Sequence, residues 1–147
     1  MEKIEDIRVE VWVQAPIGEV WDSWTQSDKV TWFSPEANIE AKLGGAYELF
    51  WDPANHDSMS TKGCRITAYE PIKLLAFTWK GPDQFAHIMN TEPPKTEVMV
   101  SFEDGGKRTK LIITHTGWGR GEEWEEARAW HIKAWKGVLD SLVSKYE

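Results

Sequence analysis

Four histidines, one cysteine and a few charges set on apolar faces are the places where this 147-residue chain could do chemistry. His131 falls on one helical stripe with Trp124, Ala127, Trp135, Val138 and Leu142, taking ~100° per residue. His115 closes an alternating set with Leu111 and Ile113. An imidazole so placed is a neutral core group bonded to a carbonyl or carboxylate, a polar anchor for a bound molecule, or a proton-transfer group. Arg128 lies at the margin of the same stripe. A guanidinium there must snorkel to the helix edge, pair with a carboxylate of the sheet, or face inward and hold a carboxylate or phosphate.

The remaining candidates are weaker. His56 adjoins Asp57, with Asp52 nearby, and His87 lies in a long connection, but no His-x-x-x-His or Cys-x-x-Cys spacing occurs, so no metal site is expected. Cys64, in the middle of an apolar-alternating run, reads as a small core residue, the alternative being a nucleophile paired with a histidine. Gly44-Gly45 lacks the Lys-Ser or Lys-Thr of a phosphate loop, and GWGRG at 117–121 lacks a strand-helix dinucleotide context. Both read as turns, and no cofactor is expected.

The elements that must position these residues follow from periodicity. IEDIRVEVWV (4–13) alternates as a half-buried strand with Ile7, Val9, Val11 and Val13 inward. Pro16 suits a first helical position, ahead of Ile17, Val20, Trp21 and Trp24 at helical spacing. Ser27 can cap a second short helix, DKVTWF, stopped by Pro35. From 36 to 116 the period is two, interrupted by turn signals, and six further strands fit. Their inward sets include Tyr47, Leu49 and Trp51; Cys64, Ile66 and Ala68; Leu75, Phe77 and Trp79; and Val98, Val100 and Phe102. The connection 81–95 reads as a lid, a binding element or a mobile surface loop. Residues 122 to 144, acidic at the start and basic later, form one long helix.

Composition bounds what such an assembly can do. The length fits a single domain over 1–147, with no segment resembling a membrane span. The formal charge of −7 argues against a nucleic-acid partner. One cysteine and a charged N-terminus without a signal-peptide pattern point to the cytoplasm. Ten Trp residues give unusually many large apolar rings, each with one donor, for a core and for the wall of a cavity.

In order, APIGEVWDSWT, VTWFSPE, GGAYELFW, KGCRITAYEPIKLLAFTW, TKLIITHTGWG and AWHIKAWKGVLDSL resemble successive motifs of the START-like (SRPBCC) superfamily. The resemblance is to the branch homologous to the activator of the heat-shock-protein-ninety ATPase. It implies an α+β helix-grip fold: a seven-stranded curved antiparallel sheet around the long C-terminal helix, with two short helices after the first strand. It also implies a cavity between sheet and helix, which Tyr47, Trp51, Phe77, Trp79, His115, Trp124, Arg128, His131 and Trp135 would line. The leading expectation is a container for a small hydrophobic or aromatic ligand. A cyclase, dehydratase or hydrolase using His115 or His131 as base is the second. The third is a chaperone-interacting protein with an apolar patch at Trp12, Phe50 and Tyr69. A homodimer would be an alternative cover for that patch.

Overall fold

The protein is described by a computed structural model over residues 5–147. Alternation in IRVEVWV turns Ile7 and Val13 inward and Arg8, Glu10 and Trp12 outward, giving strand β1 (Ile7–Val13). The expected start of this strand at Ile4 lies outside the described residues. Helix α1 (Ile17–Thr25) begins on the Pro16 carbonyl, which accepts from the amides of Glu19 and Val20. It buries Val20, Trp21 and Trp24. Strands β2 (Glu36–Ile39), β3 (Tyr47–Phe50), β4 (Ile66–Glu70) and β5 (Leu74–Trp79) follow. A 3-10 turn (Asp83–Phe85) runs into the short helix α2 (Ala86–Met89), and β6 (Thr96–Asp104), β7 (Thr109–Thr116) and helix α3 (Glu122–Lys145) complete the chain.

The strands pair antiparallel in the order β1-β7-β6-β5-β4, with β2-β3 as a separate ladder. The expected seven-stranded sheet is therefore five strands plus two. Beside β3 the pairing is interrupted: Thr61 Oγ1 accepts from the Leu49 amide at 2.8 Å and donates to the Tyr47 carbonyl at 3.2 Å, while the Thr61 amide donates to the Leu49 carbonyl at 3.0 Å. Two isolated bridges, Ala46 to Arg65 and Phe50 to Ser60, tie the pair to the segment leading into β4. The expected helix over 28–33 is also absent. The Val30 carbonyl takes both the Phe33 and Ser34 amides, closing one turn, and the Ser27 hydroxyl accepts from Ile39 instead of capping.

Helix α3 lies across the sheet and buries Ala127, His131, Trp135, Leu139 and Leu142. Its entry depends on Gly117, at φ 93°, where a Cβ would stand 2.4 Å from the Lys95 carbonyl oxygen, so no other residue fits. Glu122, Glu123 and Glu125 in the first turn complement the helix dipole.

Candidate functional site

The C-terminal end of β5 delivers Trp79, and α3 brings His131 and Trp135 down onto it. The Trp79 indole donates to His131 Nε2 at 3.1 Å, and His131 Nδ1 pairs with the Ala127 carbonyl, one helical turn back, at 2.7 Å. Since a carbonyl can only accept and an indole N–H only donate, His131 carries its proton on Nδ1. His115, reached from β7, is arranged in the opposite sense. Its Nδ1 accepts from the Trp135 indole at 3.0 Å, so its proton is on Nε2 and points to Thr96 Oγ1 at 3.0 Å. Thr96 in turn donates to the Trp79 carbonyl.

Each imidazole thus spends its one lone pair on a tryptophan N–H. Burial lowers the pKa of His131 to about 4, against the opposing pull of the Ala127 carbonyl. Burial, helped by the charge of His131 when protonated, holds His115 well below 6.5. Protonating either would turn an acceptor toward an indole donor, which adds to the desolvation cost.

Against this pair lies a recess of about 310 Å³ between sheet and helix. Trp79, Trp135, His131 and Trp51 line it, joined by Phe33, which stacks on Trp79 with centroids 5.9 Å apart. A half-exposed row on α3 at a spacing of four, Trp130, Ala134 and Val138, forms the rim. Met59, Ser60, Gly81 and Pro82 close the other side. The connection 81–95 is pinned: Gly81 and Asn90 exchange two hydrogen bonds, Phe85 packs edge-on to Trp130, and Met89 is fully buried. Asp83 ties it to the neighbouring loop by accepting from the Ser58 hydroxyl and the Met59 amide.

Of the nine residues expected on the cavity wall, Trp51, Trp79, His131 and Trp135 are there. Tyr47 and Phe77 stack on each other at 3.9 Å inside the core, where the Tyr47 hydroxyl donates to the Trp24 carbonyl. His115 sits one layer behind, and Trp124 packs on Trp118 and Gly119 away from the recess. Arg128 also lies outside the recess lining. Its guanidinium donates to the Glu5 and Asp6 carbonyls and so ties α3 to the segment entering β1.

The outward aromatic patch is largely dispersed. Phe50 is buried under the His56 ring at 3.9 Å. A bulge between Ile66 and Ala68 turns Tyr69 inward onto Trp21. Only Trp12 stays exposed, beneath Arg108. Among the described residues no cluster suits a metal ion and no helix is long and apolar enough to cross a membrane. Cys64 is buried and unpaired, its thiol pushed up to about 11 by burial, which removes it as a nucleophile at neutral pH.

The fold is shared with solved structures. Protein BH1534 of Bacillus halodurans is 22% identical, with complete coverage of both chains and a TM-score of 0.76. The Aha1 dimer of Colwellia psychrerythraea is 17% identical over 98% of this chain and 97% of that one, with a TM-score of 0.74. PFC0360w, an HSP90 activator from Plasmodium falciparum, is 17% identical over 93% and 92%, with a TM-score of 0.70. No curated protein matches by sequence. The model of the family described as activator of Hsp90 ATPase homolog 1-like protein matches residues 14–147, nearly the whole chain, and the protein belongs to that family.

Proposed function

We propose that this protein is a container for a small, largely aromatic or hydrophobic molecule, held between β5, the loops at 51–60 and 81–82, and α3. The observation that carries the reading is the wall of the recess. Four indoles, from Trp51, Trp79, Trp130 and Trp135, and the Phe33 ring surround a space of about 310 Å³, within the range of small-molecule sites. Such rings offer flat apolar area at little entropic cost.

A catalytic role for His115 or His131 finds less support, because a general base needs a lone pair directed at substrate and both lone pairs are occupied. A chaperone partner, which the Plasmodium neighbour's name suggests, would need an exposed apolar surface, and two of its three candidate residues are covered. The Colwellia neighbour is a dimer, and a homodimer is compatible with the container reading. The single buried, unpaired Cys64 suits a reducing compartment, so we place the protein in the cytoplasm.

Native mass spectrometry of the freshly purified protein tests the proposal. It should show, beside the bare chain, a species carrying one retained small molecule that is lost on collisional activation. If only the bare mass appears and a broad panel of two-ring aromatics leaves the tryptophan emission unchanged, the container reading fails.

A further inference from the structure

Among the described residues lining the recess, one formal charge is present and it is positive. Lys80, the residue after Trp79, follows the end of β5 and borders both the recess and the polar groove beside it, its side chain, held by Lys62 and Glu92 of that groove, only 17% exposed. No carboxylate lines the recess, and His131 is neutral by burial and by its bond from Trp79. An ammonium has three N–H donors. Two are taken: one goes to the Lys62 carbonyl at 2.7 Å and one to Glu92 Oε1 at 3.2 Å. The first is a fixed backbone contact that aims the ammonium. The second is an ion pair with a side chain 79% exposed on the 81–95 loop, a partner that solvent screens and that another carboxylate can replace.

The other acidic groups near Lys80 are engaged elsewhere. Asp57 pairs with Lys62 at 2.8 Å, and Asp83 accepts from Ser58 and the Met59 amide. These groups and Lys80 border a second, polar groove of about 460 Å³, which shares Ser60 and Lys80 with the apolar recess. A molecule seated among the rings would therefore meet Lys80 where the apolar wall ends and the polar groove begins.

We infer that the site selects an aromatic or hydrophobic acid: the apolar body lies among Phe33, Trp51, Trp79 and Trp135, and its anionic group takes Lys80 in place of Glu92. The inference rests on the container reading and adds the class of ligand. It also moves the anchoring role from Arg128, committed to the chain's start, to a lysine at a strand end.

The test uses a matched pair of probes, 2-naphthylacetic acid and its neutral amide, titrated by calorimetry into the wild-type chain, Lys80→Gln and Glu92→Gln at low salt. The wild type should prefer the acid by about 5- to 10-fold, the scale of one partly desolvated ion pair. Lys80→Gln should erase the preference, lowering acid affinity by about 5- to 10-fold and amide affinity by clearly less. Glu92→Gln, at an exposed position with little bearing on folding, should tighten acid binding about 2- to 3-fold by removing the competitor, without effect on the amide. Equal binding of acid and amide by the wild type, or an acid affinity that neither variant changes, overturns the assignment of Lys80 and leaves the container standing. If neither probe binds the wild type, the assignment of Lys80 falls, and the retained-molecule and emission measurements decide the container reading separately.

Discussion

At the scale of single residues, two histidines and two tryptophans form a reciprocal arrangement that orders the core. Trp79 from the sheet donates to His131 on the helix, and Trp135 on the helix donates to His115 in the sheet, so each element is joined to the other through a directed bond. Both imidazoles are neutral when folded. In the unfolded chain they titrate near 6.5, whereas the folded His131 resists protonation until about pH 4 and burial holds the folded His115 well below 6.5. The unfolded state therefore binds more protons between these values. Stability is fully present above about pH 6.5 and declines as pH falls toward 4, by up to about 1.4 kcal/mol per pH unit for each histidine. Denaturant titrations at pH 7 and pH 5 should differ by about 2 kcal/mol from His131, with His115 adding in the same direction. Over the same range, nitrogen shifts from NMR should keep His131 protonated at Nδ1 and His115 at Nε2; a flat pH dependence together with titrating imidazoles would contradict it. Truncating a tryptophan of one pair and the histidine of the other should not be equivalent. Trp135→Ala should cost about 3–5 kcal/mol through the cavity left behind, and it also strips His115 of its donor. His131→Ala leaves one buried indole N–H unpaired, a loss of about 1–3 kcal/mol in thermal or chemical melts. The reverse ranking would make His131 the structural keystone and remove the wall role assigned to it.

At the scale of elements, what could be read from the chain depended on whether local pattern and long-range packing agreed. Helix α3 was legible to within a residue, because its stripe, acidic start and glycine-rich approach point the same way. The inward sets of β5, β6 and β7 were equally plain from alternation. Three features were not, because they arise from a local irregularity or from contacts between residues distant in sequence. The bulge at Ile66 and Ala68 reverses the phase of alternation, so Tyr69 faces the core. The Thr61 side chain takes the Leu49 amide and the Tyr47 carbonyl where β3 meets the 59–65 segment through isolated bridges only. The 28–33 segment has helical spacing, but Trp32 is drawn to the Ser23 carbonyl and Phe33 into the recess, and no second turn forms. The junction before α3 offers the sharpest test at this scale. Gly117→Ala forces a Cβ against the Lys95 carbonyl at a left-handed φ, and should destabilise by more than about 1 kcal/mol in chemical denaturation. Gly106→Ala, also at positive φ but with no atom within 4 Å of its Cβ, should cost less. Equal effects at the two glycines would mean that backbone conformation, and not the close approach of β6, sets the requirement at Gly117.

At the scale of the whole molecule, the sheet, the helix and two loops border an apolar recess whose chemistry is set by what each contributes: rings from α3 and β5 with Phe33 and Trp51, a side closed by Gly81 and Pro82 of the pinned segment, and a single cation just past the end of β5. Part of this was visible beforehand, since Trp79, His131 and Trp135 lie on inward faces that must meet. Tyr47 and Phe77 lie on the same faces yet pack on each other, because periodicity gives the side of a sheet and not the depth at which a side chain ends. Lys80 carried no signal, being one charge beside a turn. The row Trp130, Ala134 and Val138 had one, a spacing of four adjoining the buried stripe. The most direct measurement on the central claim is a proton–nitrogen NMR titration of the ten indole N–H groups with 2-naphthylacetamide, whose neutrality makes it independent of Lys80. The account predicts that the Trp51, Trp79, Trp130 and Trp135 resonances move together and saturate, while those of Trp12 and Trp32 stay in place. Movement confined to Trp12, or no saturable change at any indole, would contradict a container built between this sheet and this helix.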